Sequence, residues 1–270
     1  MIFNQKLPVF FHIPKNAGTY INNRCFSFFR HRFSGKNCYH IDVLKDGVIA
    51  YRLLCTSDKD LCRDYISINK TCYQINFEDL RLDELNLFVL RVADAGFGTY
   101  KQDIYSFLPE NIKPYEFLCL REPYSRTQSL YSYMQSSQSS HEDTNYKLGV
   151  MSFVEYLNSP QLEGSWLIRK FLKIPNHKPI IEEHFKKTCD LLNKMLVFGM
   201  NNIDESLLRV FMECYGIDFS PITAKVYDNK TKEKIKLPFD SLDEGTKTAF
   251  LKQTYWDKKI HNRYASAYIA

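Results

Sequence analysis

The sequence predicts an α/β fold in which a central, mainly parallel sheet is flanked by helices. Short apolar runs at Pro8–His12, Leu87–Val92, Glu116–Leu120 and Leu196–Gly199 have the length and continuity of strands buried on both faces. Each is followed by turn residues and then by a longer amphipathic stretch, the alternation that winds a parallel sheet.

The elements follow in order. After the first run, Ile21, Cys25, Phe28, Phe29 and Phe33 recur at helical spacing while Asn22, Asn23, Arg24, Ser27 and Arg30 fall on the other face, which predicts a helix from about Thr19. The run Glu116–Leu120 leads directly into SRTQSLYSYM, where Leu130 and Met134 share a face. Pro123 precedes it, in a first turn that tolerates the missing N–H. Further helices are predicted at Ile180–Met195, Ile203–Tyr215 and Ser241–Tyr268. The polar stretch Gln135–Lys147 reads as a mobile loop, and residues 136–195 as a helix-containing insertion beside the site, within a single domain spanning 1–270.

With 44% hydrophobic and 15% aromatic residues, the 270-residue chain can bury a substantial core. Its formal charge of +5, from 36 Lys+Arg against 31 Asp+Glu, is too mild for a dedicated nucleic-acid binder and is satisfied by an anionic small ligand. The opening MIFNQKLPVFFHIPK lacks the cationic segment and apolar core of a secretory leader, and no apolar span of about 18 residues follows, so the expectation is a cytoplasmic protein without a membrane partner. Eight cysteines form no CxxC pair. Cys119, inside an apolar run, reads as a buried thiol; any disulfide is expected among Cys55, Cys62 and Cys72, and no metal site is expected.

The stretch HIPKNAGTY, His12–Tyr20, sits between the first strand and the first helix. A tight glycine-containing turn there offers unpaired N–H groups and the positive end of a helix dipole, which suits an anion. The order Pro14, Lys15, Asn16, Ala17, Gly18, Thr19 puts the lysine before the glycine, the reverse of the nucleoside-triphosphate loop GxxxxGK[ST], and no strand-end acid offers itself to magnesium. A second segment, FLCLREPYSRTQSLYSYM (Phe117–Met134), joins a strand-end arginine, able to fork onto a phosphate, to a serine two turns into the next helix.

HIPKNAGTY resembles the HIPKTGGTS loop of sulfotransferases that use 3′-phosphoadenosine 5′-phosphosulfate (PAPS). FLCLREPYSRTQSLYSYM resembles that family's strand followed by R[DE]PxxRxxSxYxY, with Arg121 and Ser129 at the required separation. VFGMNNIDESLLRVF (Val197–Phe211) and QTYWDKKIHNRYASAY (Gln253–Tyr268) resemble later segments of its carbohydrate-type members, the heparan and chondroitin sulfotransferase superfamily. The resemblance implies a P-loop-like three-layer fold and in-line transfer of a sulfuryl group to a hydroxyl or amine of a saccharide or small-molecule acceptor. PAPS is then the donor and the bisphosphate PAP the product, with no metal required.

Carried onto this sequence, the resemblance implies that Lys15, Asn16, Ala17, Gly18, Thr19 and Tyr20 hold the 5′-phosphosulfate end, and that Arg121 and Ser129 hold the 3′-phosphate. Lys15 stabilises the leaving oxygen. Arg126 either joins the phosphate or pairs with a carboxylate. Where relatives carry a GHxxxG-like segment, this chain has ADAGFG, so Asp94 stands in for the histidine as general base or contacts a cationic or polyhydroxyl acceptor; His12 is the other candidate base. Tyr131 and Tyr133 read as core. Trp166, another core candidate, and Arg169 lie in a variable stretch and are also candidate acceptor contacts.

Overall fold

Strand β1 (Lys6–Phe11) is buried on both faces: Leu7, Val9 and Phe11 enter one core cluster and Phe10 another. That requires neighbours on either edge and layers above and below. The structure is a computed structural model that describes residues 6–18, 20–21, 24–25, 38–43, 48–55, 73–76, 88–92, 113–136, 151–160, 162, 164–216, 218, 220 and 236–265.

Seven strands form one sheet in the order β4-β3-β2-β5-β1-β6-β7, with β2 Cys38–Val43, β3 Val48–Cys55, β4 Tyr73–Asn76, β5 Phe88–Val92, β6 Lys113–Leu120 and β7 Leu196–Gly199. From β2 to β7 the neighbouring pairs are parallel, whereas β3 and β4 are added antiparallel at one edge. The four expected strands are all present. β2 and β4 escaped prediction because CYHIDV and YQIN lack the continuous apolar run of a doubly buried strand, and β3 carries Arg52 inside its apolar run.

Helix α1 (Pro123–Ser136) starts at its proline, and the Glu122 carboxylate accepts from the amides of Tyr124 (3.0 Å) and Ser125 (2.8 Å). The acid before Pro123 is therefore a helix cap. α2 (Phe153–Asn158) carries a Ser152–Glu155 capping box. α3 (Trp166–Leu172), α4 (Glu182–Leu192) and α5 (Ile203–Tyr215) follow, the last ended by Gly216 at φ 66°.

The helix expected over Ser241–Tyr268 is two: α6 (Glu244–Gln253) and α7 (Tyr255–Tyr264), preceded by a single 3₁₀ turn at Phe239–Ser241. They part at Thr254, whose buried hydroxyl donates to the Phe250 carbonyl (2.8 Å), a back-bond that bends helices. A Cβ at Gly164 would lie 2.1 Å from the Gln253 carbonyl oxygen, so the backbone before α3 passes tightly against this same joint.

Helices cover both faces of the β1, β6 and β7 region. Leu7, Val9, Phe11, Leu118 and Leu120 pack under α3, α4 and Ile260 of α7. Phe10, Phe117, Cys119 and Phe198 pack against Ile21, Cys25 and α5. α3 and α4, expected as part of an insertion, thus belong to the layer covering the sheet. A third cluster joins Tyr124, Tyr131 and Met134 of α1 to α2 and to Phe250 of α6. Cys25, Cys119, Cys189 and Cys214 are buried free thiols, while Cys62 and Cys72, Phe26, Phe28 and Phe29, and loop residues 137–147 lie outside the described residues. Among the described residues, no helix is long and apolar enough to cross a membrane.

Phe117 is fully buried, stacked on Phe10 (centroids 5.1 Å apart) and Phe198 (6.4 Å) across three adjacent strands. Phe117→Ala is expected to cost about 3–5 kcal/mol by chemical denaturation; a loss below about 1 kcal/mol would show that this face of the sheet is loosely packed.

Candidate functional site at the carboxyl ends of β1 and β6

The chain leaves β1 toward β2 and β5 on one side, and β6 and β7 lie on the other, so the strand order reverses between β1 and β6. In open α/β sheets the crevice outside the carboxyl ends of the strands at such a reversal is the place where ligands bind. The loop 12–18 and the pair Arg121–Glu122 emerge together at that edge because β1 and β6 run parallel, Phe11 beside Leu118.

The loop turns sharply. The Asn16 amide donates to the Ile13 carbonyl (3.1 Å), Lys15 and Ala17 are left-handed at φ 68° and 60°, and a helical turn opens at Gly18, with the Ile21 amide donating to the Ala17 carbonyl (2.9 Å). Left-handed backbone disfavours residues with a Cβ, so something must hold it. Three bonds from the β6 side do. Asn16 Nδ2 donates to the Cys119 carbonyl (3.0 Å), Arg121 Nη1 to the Lys15 carbonyl (3.2 Å), and Arg126 Nε to the Pro14 carbonyl (3.3 Å).

Asn16 is buried, its backbone and side-chain donors act inside the fold, and its Oδ1 has no protein partner. It therefore shapes the loop rather than offering a donor to an anion. Gly18 is obligatory for a different reason: a Cβ there would sit 2.0 Å from His12 Nε2. His12 packs against both Gly18 and the Phe10 ring, whose centroid is 5.7 Å away.

A cleft of about 320 Å³ opens beside the loop, lined by Arg121, Ser125, Gln128, Ser129 and Ser132 from the β6–α1 segment and by Lys236–Pro238. Gln128 Nε2 (2.6 Å) and Tyr124 Oη (2.9 Å) both donate to the Leu237 carbonyl and clamp that segment to α1. Among the described residues, two cations and several hydroxyls line the cleft and no carboxylate does, a chemistry that suits an anion. Burial lowers the Arg121 pKa, but a guanidinium keeps its charge. Arg121 and Ser129 thus line one cleft. Lys236 was missed, since in the polar run TKEKIK it has no periodicity to single it out.

A smaller cavity lies behind the loop, bordered by Asn16, Arg121, Arg126, Trp166, Asp257 and His261 among others. The Arg126 guanidinium stacks on the Trp166 ring (4.8 Å) and faces the Asp257 carboxylate. Of the two roles open to Arg126, the structure favours the carboxylate. Asp257 accepts from the Ser165 amide (2.8 Å) and caps the start of α3. Burial outweighs these partners and pushes its pKa up to about 6; burial lowers that of neighbouring His261. Trp166 is buried in the core.

The remaining candidates separate. The Tyr20 hydroxyl donates to Asp204 at the start of α5 (3.0 Å), beside Arg24 Nε (2.9 Å), so it is turned away from the loop's open side. Arg169 donates to the carbonyls of Gly164 (3.2 Å), Pro175 (2.7 Å) and Lys178 (2.9 Å), which braces the chain around α3. The Lys15 ammonium lies 4.1 Å from the centre of the Tyr133 ring. Tyr131 is buried as expected; Tyr133 is 52% exposed and is no core residue, because it falls off the buried stripe of Tyr124, Thr127, Tyr131 and Met134. Thr19 and Asp94 lie outside the described residues, and among those described no group of three or more His, Cys, Asp or Glu could hold a metal ion.

No family model matches the chain, and no curated protein or solved structure matches it either.

Gly18→Ala is expected to cost on the order of 1–3 kcal/mol through collision with His12, and His12→Ala in the same chain to recover at least half of that loss. Additive melting-temperature changes would refute this contact. For Asp257, a folded pKa raised above the unfolded value means that its contribution to stability is present below about pH 4 and is lost as pH rises through about 6. Wild type should therefore lose stability relative to Asp257→Asn across that interval, as read from melting temperatures at pH 4, 5, 6 and 7; parallel curves would refute it.

Proposed function

We propose that the chain is a PAPS-dependent sulfotransferase of P-loop-like fold that sulfates a hydroxyl or amine of a saccharide or small-molecule acceptor. One observation carries the reading: the lysine-first loop after β1 and the anion cleft of Arg121, Ser129 and Lys236 open from the same edge of the sheet, at the reversal of strand order. A nucleotide with phosphates at its 3′ and 5′ ends needs two anion sites joined by one rigid element. Arg121 joins them, since it lines the cleft and also holds the Lys15 carbonyl.

In the proposed reaction the acceptor oxygen or nitrogen attacks sulfur in line. A new S–O or S–N bond forms as the bond from sulfur to the 5′-phosphate oxygen breaks, and PAP leaves with the electron pair. The chain's part is positioning and charge. Arg121, Ser129 and Lys236 fix the 3′-phosphate. The amides that open the helical turn at Gly18, with Thr19, face the 5′-phosphate, and the Lys15 ammonium offsets negative charge on the departing oxygen. His12 is packed on Gly18 and Phe10, which leaves Asp94, the other candidate base in the sequence, as the proposed acceptor of the proton.

Incubation with PAPS and a panel of saccharide, phenol, alcohol and amine acceptors tests the reading. Lys15→Ala is expected to lower kcat by about 100- to 1000-fold, the size of losing one preorganised charge donor. Arg121→Ala is expected to weaken PAP binding by roughly 10- to 100-fold. Transfer and PAP affinity unchanged in both variants would overturn the assignment.

A further inference from the structure

We infer that Tyr133 is a positioning residue for Lys15, holding the ammonium over its ring on the helix that lines the cleft; this rests on the sulfotransferase reading. The contact is direct, with Nζ 4.1 Å from the ring centre, within the range where a cation is drawn to the face of an aromatic ring. Tyr133 stands one helical turn after Ser129 and two after Ser125, so the ring extends the stripe of α1 that lines the cleft.

Burial does not account for this tyrosine. Its ring is 52% exposed, whereas Tyr131, two residues earlier, is the one that α1 buries against α2. The Lys15 backbone is equally fixed: left-handed at φ 68°, with its carbonyl held by Arg121. A fixed backbone still leaves four side-chain torsions free, and a lysine loses much rotamer freedom when its head is immobilised. The ring confines the ammonium to the site before the donor arrives, so less freedom is lost when charge develops on the leaving oxygen. Such a contact, exposed to water, is worth a factor of about two to five in the population of the held conformer.

The ring face, not the hydroxyl, performs this task, and the effect falls on the step that uses Lys15. Tyr133→Leu is expected to lower kcat about twofold to fivefold with the KM for PAPS changed less than twofold, while Tyr133→Phe keeps more than half of wild-type kcat. A second readout needs no activity. In protein labelled with ¹³C at lysine Cε, the Lys15 resonance, assigned by its loss in Lys15→Arg, should show an upfield ring-current shift that persists in Tyr133→Phe and vanishes in Tyr133→Leu.

Full kcat in Tyr133→Leu with wild-type transfer intact overturns the positioning role alone, as does a phenylalanine variant as impaired as the leucine one. Absence of the ring-current shift in wild type overturns the contact. A shifted Lys15 in a wild-type protein that neither binds PAP by calorimetry nor transfers sulfuryl overturns the sulfotransferase reading, and the catalytic purpose of the contact with it.

Discussion

The hydrogen bond from the Asn16 side-chain amide to the Cys119 carbonyl is the constraint on which the rest of the site depends. The β1–β6 ladder ends where Phe11 pairs with Leu118, and one residue further along β6 the Cys119 carbonyl has no β1 backbone left to meet. Asn16 supplies the missing donor by folding its side chain back from the loop, so that the ladder is continued by an amide that belongs to no strand. A buried carbonyl left unpaired here is costly, and so is a buried amide donor; each removes the other's cost, and the loop is fixed in the process. Asn16 is buried between Lys15 and Ala17, both of which are left-handed.

Charge is divided by depth around this point. On the outer side, Arg121 and Lys236 face a cleft without a carboxylate. Behind the loop, Arg126 is matched by Asp257, itself held by amides at the start of α3, so the guanidinium that braces Pro14 spends its charge within the fold. The arrangement leaves net positive charge where a ligand can reach it and a matched pair where one cannot. It also ties the loop to α7, more than two hundred residues later in the chain, through a single side chain. An Arg126 that bound phosphate directly would leave the buried Asp257 carboxylate with only the amides at the start of α3, which is the costlier state.

What could be read from the sequence was whatever depended on neighbours along the chain. The four expected strands announced themselves as apolar runs, Pro123 marked the start of α1, and Ile203–Tyr215 was readable to the residue from its periodicity. What depended on partners far away was not. The break at Thr254 comes from a hydroxyl bond together with the close approach of Gly164, and Lys236 acquires its meaning from the clamp of Gln128 and Tyr124 on Leu237. Tyr20 and Asn16 sit in the right motif but look inward, and their targets, Asp204 and Cys119, are about two hundred and one hundred residues away. Tyr133 was within reach of a more careful count, since helical spacing from Tyr124 and Tyr131 already sets it off the buried face.

The same geometry accounts for the order of residues in HIPKNAGTY. A lysine placed after the glycine rides on the helix that follows, and its ammonium reaches back over the loop. Placed before the glycine, Lys15 precedes the helix, with its carbonyl anchored to Arg121 and its side chain directed toward α1, where Tyr133 meets it. The cation is thereby set against α1, the helix whose residues line the cleft. A chain of phosphates extending along the loop gains little from a cation there. On the proposed reading, a ligand that carries one anion at each end and changes charge between them gains most, because Arg121 would answer to both ends and Lys15 to the new charge.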